Sequence, residues 1–397
     1  MEVVVVGGGI VGVSAALTLV ERGVDVVVLE RGSVAGEASG LNAGVISGGG
    51  WGDRPDIEVA LKMGSRDRYI DLSQERGHDI GLDLTGTLTL IRTEEEWAWA
   101  TATVEADRRA GRCLELVRAE ELADLEPAVD PGLLGAVLDP LGARAEPVAA
   151  TEAFAAEAVS AGAVIETGRA VHSLRALAGG GWEVGVDTAD TSVVGADAVI
   201  IAAGPWCAEL GAMVGVEVPI VAVKGQMWAS EPQRPVLRHA IAAAESPLAW
   251  STELGRGQHP PELTHRSGRR VTRHLYGRQR PGGEIVFGGD RVLTAERGVD
   301  DEGIAVNHRH VGELLPLVRD LHRARRWAGL MPFSLDGRPL LGPISGHEGL
   351  FLAGGLASSG FGRGPMAGQV IADLVMGLHP GFDTAAVTPG DRVAPPG

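Results

Sequence analysis

The sequence predicts a mixed α/β chain in which a parallel layer appears and returns twice, and a second, mainly antiparallel β part is inserted twice. Three observations carry this. Residues 1–32 read as one strand–helix–strand unit; the same texture recurs near 153–202 and near 350–376; and the stretches from about 81 to 144 and 216 to 326 show short alternating runs and polar turns instead.

Taken in order, Val3-Val4-Val5-Val6 is a continuous apolar run, as expected of a parallel strand covered on both faces. Gly7-Gly8-Gly9 breaks it, and Ile10 to Arg22 follows with helical spacing through Val13, Ala16, Leu17 and Val20. Gly23 closes that helix, and Val24 to Leu29 is a second buried strand ending at Glu30. Further on, Ala153 to Ala161 reads as a helix leading into a strand at Ala163 to Glu166, Trp182 to Val186 alternates, and Ala198 to Ala202 is buried. Leu350 to Ala353 is a short strand, Gly354 to Gly364 is glycine-rich, and a helix is expected over Pro365 to Met376, with Pro365 at its first position, where proline is tolerated. In the inserted parts, Leu84 to Leu90 and Arg270 to Phe287 are the clearest strands, with Pro281-Gly282-Gly283-Glu284 as a hairpin turn. Residues 253–269, rich in Gly, Pro, His and Arg, read as a loop, either a lid or a solvated insertion.

The 397 residues suffice for two or three domains of about 150 residues. Apolar residues form 45% and charged residues 22% of the chain, which excludes a disordered protein. A net charge of −17 argues against a nucleic-acid backbone or an anionic membrane surface as partner. The two cysteines, Cys113 and Cys207, exclude a disulfide framework and fit a reducing compartment. No apolar run reaches about 18 residues, so no membrane span is expected. The N-terminus lacks a basic leader region, and a cytoplasmic location is expected.

The chemistry-bearing pattern is Gly7-x-Gly9-x-x-Gly12 between a strand and a helix, with Glu30 at the end of the next strand. Its glycines permit a tight turn, close approach to a pyrophosphate and close helix–strand packing. The helix N-terminus at Ile10 and Val11 offers unpaired N–H groups and a positive dipole end. Glu30 is placed to accept from a ribose, and the motif leaves NAD and FAD both open. A second strand–glycine loop–helix junction, Gly354 to Gly362, suits the edge of a flavin that becomes anionic on reduction, and reads equally as a surface loop.

These residues together resemble the D-amino acid oxidase superfamily of flavoproteins. Gly7, Gly9 and Gly12 with Glu30-Arg31, and Glu37-Ala38-Ser39-Gly40-Leu41-Asn42-Ala43-Gly44, are similar to its opening. Val199 to Trp206 matches its strand ending in Ala-Gly-x-Trp, and Lys224-Gly225-Gln226 its return into the substrate domain. Trp327 to Pro332, Asp336 to Pro343 and the Gly355 to Pro365 loop match its C-terminal signature in order, with glycine oxidase-like and sarcosine oxidase-like members closest in pattern. The resemblance implies a discontinuous Rossmann-type FAD-binding domain (1–80, 145–215 and 327–397) with an inserted, mainly antiparallel-sheet substrate domain (81–144 and 216–326). It implies FAD contacts from Ala38, Ser39, Asn42, Ala43 and Gly44, from the backbone of Val171, from Ala203, Gly204 and Trp206, and from Gly355 and Ser358-Ser359-Gly360-Phe361-Gly362. Some members attach FAD through a cysteine or histidine; the matching positions are Gly329 and Leu41, so a non-covalent cofactor is expected.

The family oxidises a C–N or C–O bond by hydride transfer to flavin N5, so the expected partners are an amine or amino acid substrate and oxygen or another electron acceptor. Tyr276 matches a substrate-binding tyrosine of glycine oxidase-like members, and strand alternation places His274, Tyr276 and Arg278 on one face. The arginine with which amino-acid oxidases clamp a carboxylate falls on Met331, and a second falls on Ser358. Either another cation replaces them, Arg278 first and Arg363 second, or the substrate carries no α-carboxylate; free glycine is not expected. Sarcosine oxidase-like members use a lysine near the flavin for reaction with oxygen, and this chain has only Lys62 and Lys224. No metal is expected: His308-x-His310 is a pair on one strand face at most, and Glu94-Glu95-Glu96 a solvated helix start. Alternative functions are a 2-hydroxy acid dehydrogenase or oxidase, kept open by His274, and a non-catalytic flavin-binding subunit. The oligomeric state is not encoded in any motif.

Overall fold

The strand Glu2–Val6 lies inside a six-stranded sheet of order Leu340–Pro343, Leu350–Gly354, Ala198–Ile201, Glu2–Val6, Asp25–Glu30 and Val164–Thr167. All neighbours are parallel except the first pair. This computed structural model describes residues 1–46, 56–187, 193–248, 265–266, 269–272 and 274–393. Most of the expected loop 253–269 lies outside the described residues, and with it any lid.

Alternation decides what each sheet face meets. Val3 and Val5 face the helices Ile10–Val20, Pro147–Ser160 and Gly360–Val375, while Val4 and Val6 face a three-stranded sheet of Val171–Ala176, Trp182–Val186 and Val193–Ala196. The helix Ile10–Val20 is buried at every residue, so its apolar character all round is the expected composition. It crosses the C-terminal helix so closely that a Cβ on Gly364 would sit 2.6 Å from Ile10 Cγ2, and one on Gly368 2.7 Å from the Ala15 nitrogen.

An eight-stranded sheet forms the second layer, in the order Arg323–Ser334, Ile220–Ser230, Ile285–Leu293, Tyr276–Gln279, Ala240–Ala243, Thr87–Ile91, Gly135–Asp139 and Glu115–Arg118. It is antiparallel apart from the pairing of Ala240–Ala243 with Thr87–Ile91. The expected hairpin turn is present, with Gly283 N–H donating to Arg280 O at 2.9 Å. The boundary expected at 326/327 falls inside the continuous strand Arg323–Ser334, which pairs along its length with Ile220–Ser230.

Four local expectations change. The helix expected from Ala153 begins at Pro147, with proline at its start. The C-terminal helix begins at Gly360, so Pro365 lies inside it instead of opening it. Proline has no N–H for the Phe361 carbonyl one turn back. The Tyr69 hydroxyl, on the helix Asp56–Ile70, donates to that oxygen at 2.8 Å, and Ser65 Oγ of the same helix accepts from the Met366 N–H at 3.0 Å. His308 and His310 lie on the helix Asp301–Leu314, capped by Asp300, and not on a strand. Glu96 is buried in the helix Glu94–Arg109, where its carboxylate accepts from the Arg92 N–H at 2.7 Å.

Candidate active site

A cavity of about 580 Å³ runs between the two sheets, from Glu30 and Trp206 at one end, past the first helix N-terminus, to Tyr276, His274 and Met331 at the other. That volume lies within the range of pockets that hold small ligands and cofactors, roughly 300–1,000 Å³.

At the first end Glu30 joins two loops. One carboxylate oxygen accepts from Gly8 N–H and the other from Gly32 N–H, each at 2.7 Å. Gly7 has φ +118°, and a Cβ there would lie 2.5 Å from Ala202 O, so no other residue fits this turn. At the helix N-terminus Ser39 Oγ accepts from Ile10 N–H at 2.9 Å, and a Cβ on Gly9 would meet the same hydroxyl at 2.9 Å. An oxygen acceptor thus already occupies the place where a pyrophosphate oxygen gains from the helix dipole. The far wall carries a stack: the Arg31 guanidinium lies 3.6 Å from the Trp206 ring centroid, with Arg297 at 5.1 Å, and both arginines pair with Glu37.

Among the residues expected to hold a cofactor, Gly7, Gly9, Ile10, Val11, Glu30, Arg31, Ala38, Ser39, Asn42, Val171, Ala203, Gly204, Trp206 and Ser358 to Gly362 line the cavity. Gly12, Ala43, Gly44 and Gly355 do not, and each has a packing reason. A Cβ on Gly12 would overlap Gly7 O, and one on Gly44 (φ +75°) would overlap Ala145 O; one on Gly355 would lie 3.1 Å from Ser334 Cβ. The Ala43 carbonyl accepts from Arg278 Nε. Asn42 braces its own loop, donating to Ala38 O and Ser39 O and accepting from Gly44 N–H at 2.7 Å. Leu41 packs against Gly329, a Cβ on which would be 3.2 Å from Leu41 Cβ, so the two positions that the resemblance matches to covalent attachment face each other without a nucleophile.

At the other end the expected cations are absent from the wall or committed. Arg278 does share a sheet face with Tyr276, but its side chain is 1% exposed and donates to Ala43 O, Ala145 O and Glu146 Oε1, which removes it as a substrate contact. Arg363 lines the cavity yet gives Nη1 to both oxygens of Glu58 (2.7 and 2.6 Å) and Nη2 to Leu356 O. Lys224 Nζ donates to Gly298 O at 3.0 Å, whereas Lys62, buried, lines the cavity. Tyr276, His274 and Met331 line it as expected. His274 Nδ1 hydrogen-bonds Ser246 Oγ; burial, then the Arg291 charge, hold its pKa well below the ordinary histidine value, so it is neutral at pH 7. Burial raises the Tyr276 phenol, against a smaller lowering by Arg291.

Arg291 was not legible as a site residue. It lines the cavity beside Tyr276, its guanidinium carbon 5.9 Å from the phenol ring centroid. Strict alternation from Gly288, the partner of Tyr276, puts residue 291 on the opposite face. The ladder shifts instead: Met227 pairs Gly288 and Gln226 pairs Asp290, so Gly289 is an extra residue that turns Arg291 back to the Tyr276 face. Gly289 has φ +142°, and the only hint in the sequence is the Gly288-Gly289 pair itself.

No group of three or more metal-capable side chains occurs among the described residues, nor a helix long and apolar enough to cross a membrane.

The comparisons with known proteins agree with this geometry. The model of a family described as FAD dependent oxidoreductase matches residues 2–374. The glycine oxidase of Pseudomonas putida is 29% identical, over 99% of each chain. The 4-methylaminobutanoate oxidase (formaldehyde-forming) of Paenarthrobacter nicotinovorans is 30% identical over 98% of this chain and 45% of its own length. The crystal structure of glycine oxidase from Geobacillus kaustophilus superposes with a TM-score of 0.83, at 26% identity and 97% coverage of both chains.

Proposed function

We propose, on the ground that this chain belongs to the family of FAD dependent oxidoreductases, that it oxidises the C–N bond of an amine or substituted amino acid to an imine. The chain is an oxidoreductase and its cofactor is FAD. The residues present fit that cofactor: the glycine turn leaves the space a Cβ would fill, Ser39 marks an anion position on the helix N-terminus, and Glu30 retains lone pairs for ribose hydroxyls. Bound FAD supplies the hydride acceptor, N5 of its isoalloxazine.

The observation that carries the reading is continuity: one cavity joins the dinucleotide cradle to a chamber faced by Tyr276, His274 and Met331. In the reaction the substrate carbon gives up a hydride and the nitrogen a proton, leaving a C=N bond that water then hydrolyses. The protein orients the C–H bond and excludes water. Tyr276, kept protonated by burial, donates to the substrate; Met331 supplies an apolar wall. The second helix N-terminus, reached through Ser358 and Ser359, lines the same cavity and would favour the pyrimidine edge of a bound flavin. Oxygen, reduced to hydrogen peroxide, is the proposed acceptor, supported by Lys62 in the cavity wall. The cofactor is held non-covalently, since Leu41 and Gly329 stand at the attachment positions. Free thiols at Cys113 and Cys207 agree with work in the reducing cytoplasm.

His274 favours a second reading. A neutral imidazole beside the phenol is suited to take the proton of a 2-hydroxy acid during oxidation of its C–O bond. Anaerobic mixing with amines, amino acids and 2-hydroxy acids, read as bleaching of the flavin absorbance, tests both. Bleaching by amines or amino acids is expected. Bleaching by hydroxy acids alone replaces the first reading with the second, and a flavin that no donor reduces overturns both in favour of a non-catalytic subunit.

A further inference from the structure

The sheet is bare where Arg291 meets the chamber. On the face shared with Tyr276, Arg291 stands opposite Gly225, and Gly225 stands opposite Gly329, so one arginine and two glycines form a row across three adjacent strands. Met331 and Leu41 overhang the glycines: a Cβ on Gly225 would lie 2.9 Å from Met331 Cε, and one on Gly329 3.2 Å from Leu41 Cβ. The result is a slot with an apolar rim and a guanidinium at one end, about 10 Å from Gly329 at the spacing of adjacent strands.

Three features bear on what the guanidinium faces. Arg291 is 3% exposed, and burial pushes its pKa down to about 10, with the Tyr276 phenol acting in the opposite sense. A cation held at that desolvation cost gains from an anion brought to it. The neighbouring ring, His274, is neutral, so it neither repels nor supplies that anion. The two arginines that the sequence offered for the purpose are held by Glu146 and Glu58. A planar carboxylate matches the guanidinium fork, with the Tyr276 hydroxyl as a further donor on the same side.

We infer that Arg291 is the anchor for a substrate carboxylate, entering from a different strand than the missing arginine at Met331, and that the oxidised amine is therefore an amino acid laid along the Gly225–Gly329 row. This rests on the reading of the chain as an amine-oxidising flavoenzyme.

The test uses the FAD-loaded enzyme and pairs each amino acid with its neutral amide, across α- and γ-amino acids with and without an N-methyl group. Anaerobic flavin reduction is measured for the wild type, Arg291→Gln and Arg291→Lys. The expected result is that the best acid exceeds its amide by about 100-fold in the wild type, and that Arg291→Gln abolishes this preference by slowing acids alone, with partial retention in Arg291→Lys. A second readout needs no turnover: acetate and benzoate should perturb the flavin spectrum of the wild type and not of Arg291→Gln. Amides reduced as fast as acids by the wild type, or an acid preference unchanged in Arg291→Gln, overturn the anchor while leaving amine oxidation standing. If neither variant folds, the wild type decides: acetate and benzoate perturbing the flavin spectrum where acetamide and benzamide do not supports the anchor, and amides that perturb it equally overturn it. Failure of every amine and amino acid to bleach the flavin is the separate signature that the underlying function is wrong.

Discussion

At the residue scale, the proposed function divides the site into groups that would hold the cofactor, groups that would face the substrate and one, Lys62, that would serve the acceptor. Lys62 is buried in the cavity wall, and a cation there would stabilise negative charge as oxygen accepts electrons. Lys62→Met should slow oxygen-dependent reoxidation by about 100- to 1,000-fold, the span typical of losing one such electrostatic contact, while anaerobic reduction by substrate changes little. Stopped-flow measurement of the two half-reactions checks this, and an equal loss in both would show a general defect. Tyr276→Phe removes one donor and no ring; a loss of about 10-fold in substrate affinity, with FAD affinity unchanged, is expected from one hydrogen bond to a charged group. The glycine motif and Glu30 were readable because they act through backbone geometry that residue type itself dictates. Arg278 and Arg291 exchanged roles for two reasons the alphabet does not record: Arg278 takes the expected face but is held by Glu146, Ala43 O and Ala145 O, and one bulge at Gly289 turns Arg291 to the Tyr276 face.

At the element scale, buried parallel strands and the first helix were legible, since continuous apolar runs broken by glycine have few other homes. The C-terminal helix was legible but its start was not, because Pro365 normally marks a helix start. Its tolerance in the interior depends on a helix some three hundred positions earlier in the chain, which provides the Tyr69 hydroxyl for the Phe361 carbonyl and Ser65 Oγ for the Met366 N–H. A Cβ on Gly64 would lie 2.6 Å from Met366 Sδ, so the two helices meet closely at the same point. The turn so fixed, Gly360 to Gly364, opens the helix whose N-terminus lines the cavity proposed to hold the flavin. Tyr69→Phe should therefore leave a buried carbonyl without its donor and lower stability by about 1–3 kcal/mol. Because that carbonyl belongs to the turn proposed to face the flavin, the variant should also bind FAD more weakly. Thermal unfolding and FAD titration of the same sample measure the two, and a stability loss with FAD affinity intact would confine Tyr69 to packing.

At the scale of the whole molecule, the two sheets are joined through Arg278 and Glu146. Arg278 rises from the antiparallel sheet, while Glu146 precedes the helix Pro147–Ser160 that covers the parallel one; Arg280 adds a second ion pair to Glu146. Arg278 also accepts the task of pairing Ala43 O and Ala145 O, so the loop that enters the cofactor cradle is pinned from the substrate side. Removing one partner of a buried pair strands the other, and Arg278→Met should cost about 3–5 kcal/mol and loosen FAD together with the fold. The pH dependence has a definite sign. Burial raises the Glu146 carboxyl, but the Arg280 hydrogen bond and the Arg278 charge outweigh it and leave the pKa below the usual 4.5. Its contribution is thus present above about pH 4.5 and lost as pH falls through the folded value. His274 acts earlier: its folded pKa lies well below 6.5, so the unfolded chain takes up a proton that the native ring refuses, and stability declines as pH drops below about 6.5. Wild-type unfolding should accordingly weaken in two stages on acidification. His274→Gln should shrink the stage beginning near pH 6.5, to which the lowered His308 and His310 also contribute, and leave the acid stage in place, while Glu146→Gln should shrink the acid stage, shared with Asp83, Glu157 and Asp300, and leave the first. Denaturant midpoints collected from pH 8 to pH 2 separate the two, and a single stage that neither substitution alters would place the acid sensitivity in other groups.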